Sequence, residues 1–231
     1  MTQIAIIIRG LLLLVLNGYC LLCAAKNHEI LVSSNTFSPS SLTIEAGDTV
    51  TWRNTGGGHN VKATDGSFRC AQGCDAFGGD GNPSFNLWSF SITFRTVGSV
   101  NYFCEPHLMF GMQGSINVIA PQNSTVHEVH LSTNNDFIPS DLTIMRGDVV
   151  KFINDGGSHN INADDNSLIC AESCEGDNLD KTRNPTGFPF ATYVRFMQIQ
   201  EMPYHCANHI QTGTNAIIHI LTDTIFANSF E

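Results

Sequence analysis

The chain has 231 residues, of which 42% are hydrophobic, enough for one large domain or two of ordinary size. Its 11 Lys and Arg against 21 Asp and Glu give a formal net charge of −10, which argues against nucleic acid and anionic membranes as partners. The combination of 20 glycines, 15 phenylalanines and low charge is typical of a β-rich protein with tight turns.

The first 25 residues form a segment of their own. They carry one charge, Arg9, followed by an apolar core, and they end in Ala24 and Ala25. This order predicts a secretory signal peptide cut after Ala25, with a retained membrane anchor as the alternative. Because Arg9 and Asn17 shorten any spanning run, we expect no stable membrane insertion after cleavage. Export predicts a periplasmic or secreted protein in an oxidising compartment.

The rest of the chain contains the same pattern twice. Residues 36–74 align without a gap on residues 136–174, and after a two-residue shift Cys104 matches Cys206. A repeat of this length indicates two similar domains rather than a solenoid, whose repeats are much shorter. The predicted segments are the signal peptide 1–25, domain 1 at 26–121, domain 2 at 122–222 and a tail at 223–231.

Each repeat has the pattern of strands and turns. The segments LTIEAGDTVTWRN (42–54) and LTIMRGDVVKFIN (142–154) alternate between apolar and polar residues around a Gly-Asp turn signal. No stretch of ten or more residues after the first 25 has helical periodicity. Each domain is therefore predicted to be an all-β sandwich or barrel of about seven or eight short strands.

Four side chains of domain 1 suit a single metal ion. Cys104, His107 and Met112 follow a C-x2-H-x4-M spacing, and His59 lies upstream after three glycines, where the backbone turns freely. A thiolate, two imidazoles and a thioether suit copper, and such a set with a weak axial Met forms a blue-copper electron-transfer centre. Met109 is a competing thioether; we favour Met112 because glycines on both sides let the chain turn back.

Two stretches carry a family resemblance. The run FSPSSLTIEAGDTVTWRN with the later HNV, and the run YFCEPHLMFGMQGSINV, resemble the plastocyanin/azurin family of cupredoxins. The resemblance covers nearly all of 30–120 and, more weakly, 130–222. It implies two tandem cupredoxin-like Greek-key β-sandwiches with type 1 copper that cycles between Cu(I) and Cu(II). It also implies that a redox partner protein docks near His107, whose apolar surroundings are Pro106, Leu108, Met109 and Phe110.

Two cysteine pairs recur at the same place in both repeats. Cys70 and Cys74 correspond to Cys170 and Cys174. In an exported protein each pair is predicted to form a small disulfide. A second metal site and a redox-active pair are the alternatives, although neither loop offers a histidine.

Domain 2 keeps three of the four metal-binding side chains, His159, Cys206 and His209. Eight residues after its cysteine stands Thr214, where domain 1 has Met112. We favour a three-ligand copper without an axial bond, which would raise the reduction potential. The alternatives are a weakly occupied site and replacement of the thioether by Gln211 or a backbone oxygen.

His205 suggests an alternative, enzymatic function. In copper nitrite reductases and multicopper oxidases a histidine beside the type 1 cysteine ligates a catalytic copper, so a homo-oligomeric enzyme with an intersubunit copper at His205 is possible. The nitrite-reductase pattern has a further histidine where this chain has Asp164, and the paired His-x-His motifs of multicopper oxidases are absent. We therefore expect His205 to be a packed or surface side chain and the protein to carry electrons without being an enzyme. Copper buffering without redox turnover is a third hypothesis.

Overall fold

The structure is a computed structural model that describes residues 25–177, 179, 181–212 and 214–222. The predicted signal peptide, except for Ala25, and the predicted tail at 223–231 lie outside these residues. Within the described part of the chain, no helix combines the length and apolarity that crossing a bilayer requires.

The described residues form 18 strands and three short 3₁₀ helices. The strands of the first repeat are β1 (Asn27–Ser33), β2 (Thr36–Ser38), β3 (Ser41–Glu45), β4 (Thr49–Asn54), β5 (Val61–Ala63), β6 (Arg69–Cys70), β7 (Trp88–Thr93), β8 (Gly98–Phe103) and β9 (Gln113–Ile119). Those of the second are β10 (Val126–Leu131), β11 (Phe137–Ile138), β12 (Asp141–Met145), β13 (Val149–Asn154), β14 (Ile161–Ala163), β15 (Ile169–Cys170), β16 (Ala191–Arg195), β17 (Gln200–His205) and β18 (Asn215–Leu221). The 3₁₀ helices are Asp75–Phe77, Glu105–Phe110 and Ile210–Thr212.

Two sheets make up each repeat. The first repeat has the strand orders β2-β1-β4-β7 and β3-β9-β8-β5-β6, and the second has β11-β10-β13-β16 and β12-β18-β17-β14-β15. The pairs β1–β4, β3–β9, β10–β13 and β12–β18 are parallel, and the other pairs are antiparallel. The prediction of an all-β protein with two tandem cupredoxin-like sandwiches is confirmed. The strands outnumber the predicted seven or eight per domain because some, such as β6 and β15, span only two residues and leave no periodic pattern.

Aromatic side chains fill the core of each sandwich. In the first, the ring centroid of Trp52 lies 5.2 Å from that of Phe90 and 5.5 Å from that of Tyr102. In the second, Phe152 lies 5.8 Å from Tyr204. Because side chains alternate across a strand, β4 and β13 each turn their aromatic residue inward and leave the neighbouring residues nearer to solvent. Both β-sandwiches are therefore closed around a buried core.

The two sandwiches meet beside β7 and β16, which are edge strands. The Thr93 amide donates to the Asp177 carbonyl at 3.3 Å, and the Tyr193 amide donates to the Arg95 carbonyl at 2.9 Å. The Arg95 Nε also donates to both carboxylate oxygens of Asp177, at 2.8 and 3.0 Å. Burial raises the pKa of Asp177, whose side chain is only 1% exposed, while Arg95 opposes that rise. A buried ion pair and two backbone hydrogen bonds thus join the domains.

Further contacts extend this interface. The Arg195 guanidinium donates to the Ser124 hydroxyl in the segment between β9 and β10, and it lies 3.7 Å from the Glu45 carboxylate. Arg183 follows the second disulfide in the chain, and Phe77 follows the first. The Arg183 guanidinium lies over the Phe77 ring, 5.3 Å from the ring centroid. The long loop of domain 2 therefore packs against domain 1 in addition to its own sandwich.

Candidate metal centres

His59 lies in the loop between β4 and β5. Gly57 has φ +99°, and a Cβ at this position would stand 2.5 Å from the His59 Nε2, so only glycine leaves room for the imidazole. Asn54 holds the loop because its Nδ2 donates to the Gly57 carbonyl at 3.1 Å and its Oδ1 accepts from the Gly56 amide at 3.2 Å. The three glycines predicted as a free turn thus make space for a buried ligand.

Cys104 and His107 approach His59 from the end of β8. The Cys104 Sγ lies 3.7 Å from the His59 Nδ1 and 3.4 Å from the His107 Nδ1. The candidate ligand atoms of the three residues all lie within 4.8 Å of one another. Cys104 and His59 are buried, whereas His107 is partly exposed. The structure therefore brings together the three predicted strong donors of domain 1.

Met112 returns to this site after the 3₁₀ helix Glu105–Phe110. Gly111 adopts φ +79°, the Met112 amide donates to the His107 carbonyl at 3.2 Å, and the Cys104 amide donates to the Met112 carbonyl at 3.1 Å. Met112 is 1% exposed and Met109 is 92% exposed. Burial and backbone pairing with Cys104 favour Met112 as the thioether and leave Met109 on the surface.

The chemistry of these donors fits copper. Burial, with a smaller contribution from the nearby His107, lowers the pKa of His59, and burial raises the pKa of the Cys104 thiol. A buried thiol that a metal ion would convert to thiolate, two imidazoles and a buried thioether are the set that copper prefers, whereas structural zinc takes four strong donors. Bound copper would supply a one-electron couple between Cu(I) and Cu(II).

Domain 2 repeats the arrangement with one change. His159, Cys206 and His209 also have their candidate ligand atoms within 4.8 Å of one another. A Cβ at Gly157 would again stand 2.5 Å from the histidine Nε2. Thr214 is buried, and its amide lies 3.4 Å from the His209 carbonyl, in the same backbone arrangement as Met112 in domain 1. A hydroxyl therefore takes the place of the thioether.

The two suggested replacements for the thioether differ in position. The side chain of Gln211 is exposed, so it lies at the surface rather than under the three donors. The Ser158 carbonyl oxygen lies 3.8 Å from the Cys206 Sγ. If an oxygen completes the second site, this carbonyl is better placed than Gln211.

His205 has partners within its own domain. Its Nδ1 lies 2.6 Å from the Asp164 Oδ1, and its Nε2 lies 3.3 Å from the Asn162 Nδ2. Both ring nitrogens therefore have a hydrogen-bond partner. One of these partners, Asp164, stands where the nitrite-reductase pattern has a histidine. In the described part of the chain, groups of three or more His, Cys, Asp or Glu with metal-ligand spacing occur only at the two sites above. These contacts favour a packed imidazole over a catalytic ligand.

Glu105 is a neighbour of the first site that sequence analysis missed. Its carboxylate accepts hydrogen bonds from the Asn60 Nδ2 at 2.7 Å, the Arg69 Nε at 2.8 Å and the Lys62 Nζ at 3.0 Å. Burial acts to raise the pKa of Glu105, but these three hydrogen bonds outweigh it and lower the pKa to about 2. The repeated His-Asn pair at 59–60 and 159–160 was the available sign that Asn60 has a role.

Exposed apolar side chains surround His107. Leu108, Met109 and Phe110 are exposed, as the resemblance implied. Two further exposed side chains, Phe85 and Leu87, come from the loop before β7 and were not predicted. The Phe85 ring lies so close to Gly58 that a Cβ there would stand 2.7 Å from it. Exposed apolar side chains therefore lie on the His107 loop and beside the His59 loop, and the rings of His59 and His107 are 4.7 Å apart.

Both predicted disulfides are present. They join Cys70 to Cys74 and Cys170 to Cys174. The free cysteines among the described residues are Cys104 and Cys206, both buried. Pairing removes the disulfide cysteines from metal binding and leaves one thiol for each site.

A β-sandwich that brings a buried His, Cys and Met to one end with a second His defines a cupredoxin. Residues 26–119 match the copper-binding proteins of the plastocyanin/azurin family. Plastocyanin of Scenedesmus fuscus is 40% identical over 83 residues, which cover 36% of this chain and 85% of that protein. Chloroplastic plastocyanin of Tetradesmus obliquus is 32% identical over 106 residues, which cover 44% of this chain and 73% of that protein. The chain belongs to the plastocyanin/azurin family of copper-binding proteins.

Part of this chain is similar to solved structures. Oxidised plastocyanin from Dryopteris crassirhizoma is 23% identical, with 39% of this chain and 99% of that chain covered and a TM-score of 0.29. Amicyanin from Paracoccus versutus is 26% identical, with 40% of this chain and 81% of that chain covered and a TM-score of 0.28.

Proposed function

We propose that the protein is an exported one-electron carrier whose copper is held by His59, Cys104, His107 and Met112. The observation that carries this proposal is the burial of Cys104, His59 and Met112 next to a partly exposed His107. The buried side chains exclude water and keep their positions when the charge of the site changes. The exposed edge of His107 gives an electron a short route to the surface.

The backbone of domain 1 holds the ligands in place before metal binding. The hydrogen bonds from Cys104 to Met112 and from Met112 to His107 close the loop on itself. Asn54 secures the loop of the remaining ligand. Outer contacts that orient ligands in this way limit the rearrangement that accompanies electron transfer.

A second copper at His159, Cys206 and His209 is part of the proposal. The same three donors are brought together there, and Thr214 offers a hard oxygen in place of sulfur. Loss of the soft axial donor favours Cu(I), so this site would have the higher reduction potential of the two.

The proposed partner is a redox protein that docks briefly on the surface around His107. Exposed apolar patches on soluble proteins mark interaction sites. Here the patch contains Leu108, Met109 and Phe110 from the His107 loop, and Phe85, which comes from the loop before β7 and lies against Gly58. A surface of this kind binds a partner without fixed ion pairs, which suits fast dissociation of that partner.

The proposed location is the periplasm or the cell exterior. Two disulfides support an oxidising compartment, and the segment 1–25 has the composition of a signal peptide. The test is N-terminal sequencing of the protein isolated from its source, which should begin at Lys26. A chain that retains its first 25 residues would contradict export with cleavage.

The function itself is tested by loading residues 26–231 with copper and measuring copper per chain, visible absorption and electron spin resonance. An intense thiolate-to-copper band is expected, from which Cys104→Ser removes the contribution of the first site and Cys206→Ser that of the second. A colourless loaded protein would overturn the proposal. Binding without reversible reduction would instead indicate copper buffering. His205→Ala should leave every signal unchanged; an additional non-blue signal that this variant removes would support the enzyme.

The docking surface is tested without knowledge of the partner, by the rate of electron exchange between the Cu(I) and Cu(II) forms of the protein. Met109→Lys places a charge beside His107 and should slow exchange about tenfold, equivalent to ~1.4 kcal/mol in the barrier. Met145→Lys is the matched control, because Met145 is exposed at the end of β12 in the other domain. Equal rates in both variants would show that this surface does not mediate exchange.

A further inference from the structure

Asn60 and Glu105 form a reciprocal pair beside the first metal centre. The Asn60 Oδ1 accepts from the Glu105 amide at 2.9 Å, and its Nδ2 donates to the Glu105 carboxylate at 2.7 Å. Asn60 directly follows His59, and Glu105 directly follows Cys104. The pair therefore joins the segments that carry two of the proposed ligands.

Two cations extend this pair to the disulfide loop. The Arg69 Nε donates to Glu105 at 2.8 Å, and its guanidinium also donates to Asp75 at 3.1 Å and to Asn82 at 2.9 Å. Lys62 on β5 donates to the other Glu105 oxygen at 3.0 Å. The Glu105 carboxylate thus joins its own segment to the stretch from Asn60 to β5 and to β6.

Domain 2 lacks this arrangement although its strong donors are the same. Ala207 stands in place of Glu105, Asn162 in place of Lys62, and Ile169 in place of Arg69. What remains is the hydrogen bond from the Ala207 amide to the Asn160 Oδ1, at 2.9 Å. The anion and both cations are replaced together, so the three side chains of domain 1 act as one unit.

We propose that Glu105 is a positioning residue for the metal centre of domain 1, which holds the Cys104 segment closed against the His59 loop through Asn60, Lys62 and Arg69. This inference rests on the proposed assignment of Cys104 and His59 as ligands. It has a mechanical consequence, because the carboxylate keeps the buried thiol inaccessible. It also has an electrostatic consequence, because removal of the Glu105 carboxylate leaves the positive charges of Lys62 and Arg69 beside the proposed ligands.

The mechanical consequence is tested on metal-free protein. In residues 26–231 carrying Cys206→Ser, Cys104 is the free thiol, and its rate of alkylation by iodoacetamide reports opening of the loop. Glu105→Ala should accelerate alkylation about tenfold. Hydrogen bonds to a charged group contribute more free energy than a tenfold increase in the population of the open loop requires. Glu105→Gln keeps an acceptor for Asn60 but loses the charge that Lys62 and Arg69 contact, so its alkylation rate should fall between those of the parent and Glu105→Ala.

Glu29→Ala is the matched control, because Glu29 pairs with Arg53 at 2.6 Å on the exposed side of the same domain. It should leave the alkylation rate unchanged. The free energy of unfolding is measured for each variant, since general destabilisation would accelerate alkylation in the control as well. Unchanged alkylation in Glu105→Ala, or equal acceleration in Glu29→Ala, would overturn the proposal.

The electrostatic consequence is tested on copper-loaded protein in the same background. Because positive charge disfavours Cu(II), Glu105→Ala and Glu105→Gln should both shift the ratio of Cu(I) to Cu(II) at a fixed solution potential about threefold to tenfold towards Cu(I). In a chain carrying Cys104→Ser, Ala207→Glu should shift the second site the opposite way. A shift of the opposite sign in either domain would contradict the electrostatic role.

The two arms separate this inference from the proposed function. If the protein binds no copper, the proposed function fails, yet alkylation still shows whether Glu105 holds the loop closed. If copper binds and Glu105→Ala leaves the alkylation rate unchanged, the copper site stands and the positioning role fails.

Discussion

The two metal centres contain the same three strong donors, but different neighbours support them. In domain 1, Met112 is the buried candidate thioether and Glu105 joins the segments of two candidate ligands. In domain 2, Thr214 and Ala207 stand at those positions, while Asp177 ties the loop after the disulfide to domain 1. The local backbone is sufficient to bring a cysteine and two histidines together. The contacts around them are free to differ, and they can give the sites different properties.

Removing the thiol of domain 2 is the change with the largest expected effect on this comparison. Cys206→Ser should lower copper from two ions to one per chain, because a hydroxyl is a poor ligand for copper. Metal analysis and visible absorption measure the loss. If the parent chain already binds one copper ion, the second site is empty in solution and the two centres differ in occupancy rather than in potential.

Breaking the buried pair at the domain interface should have the next largest effect. Asp177→Ala removes the hydrogen bonds that Arg95 and the Cys174 amide donate to the carboxylate, and it should lower the free energy of unfolding by about 2–3 kcal/mol. Chemical denaturation measures this. Glu128→Ala, which removes an exposed pair with Lys151 at 2.8 Å, is the control and should leave the free energy of unfolding nearly unchanged. Equal losses in the two variants would mean that the interface does not support domain 2.

The two disulfides also allow the domains to be compared, with a smaller expected change in the free energy of unfolding. Each closes a loop of equal length, so replacing Cys70 and Cys74 by Ala should cost about 2 kcal/mol of chain entropy. Replacing Cys170 and Cys174 should cost more, because this disulfide also holds in place the Cys174 backbone, whose amide donates to the interface residue Asp177 at 2.8 Å. Denaturation of the two double variants measures the difference. A smaller loss in domain 2 would indicate that its loop is held independently of the disulfide.

Exchange of the axial residues should give the smallest change in free energy. Thr214→Met should lower the potential of the second site, and Met112→Thr should raise that of the first. We expect at least a tenfold change in the ratio of Cu(II) to Cu(I), which corresponds to about 59 mV for one electron. Redox titration of each site, with the other removed through its cysteine, measures the shift. Unchanged potentials would show that residues other than the axial pair set the difference.

The candidate ligands that the structure brings together could be picked out from the sequence because their signals are local. Cys104, His107 and Met112 lie within nine residues, and repetition at a distance of 100 residues marks His59. Glu105 was not predictable, since its partners Lys62 and Arg69 become neighbours only when β5, β6 and β8 pair in one sheet. Charge pairs between distant strands leave no spacing in the sequence.

The fold shows the same division between local and distant signals. Alternation identified the long strands, such as β4 and β13, and the Gly-Asp turns before them. The contact of Arg95 with Asp177 joins residues 82 positions apart in different domains, and no repeat or motif signals it. Phe85 was missed for a related reason, because its exposure depends on how its loop lies over Gly58.

The interface beside β7 and β16 has a consequence for aggregation. Both are edge strands, and edges with unpaired amides and carbonyls are templates for pairing with other chains. Thr93 and Tyr193 direct their amides to carbonyls of the other domain, so each sandwich covers part of the other's edge. A domain cut from its neighbour would expose that edge and tend to self-associate. Duplication within one chain would therefore limit aggregation, a consequence separate from the second candidate metal site.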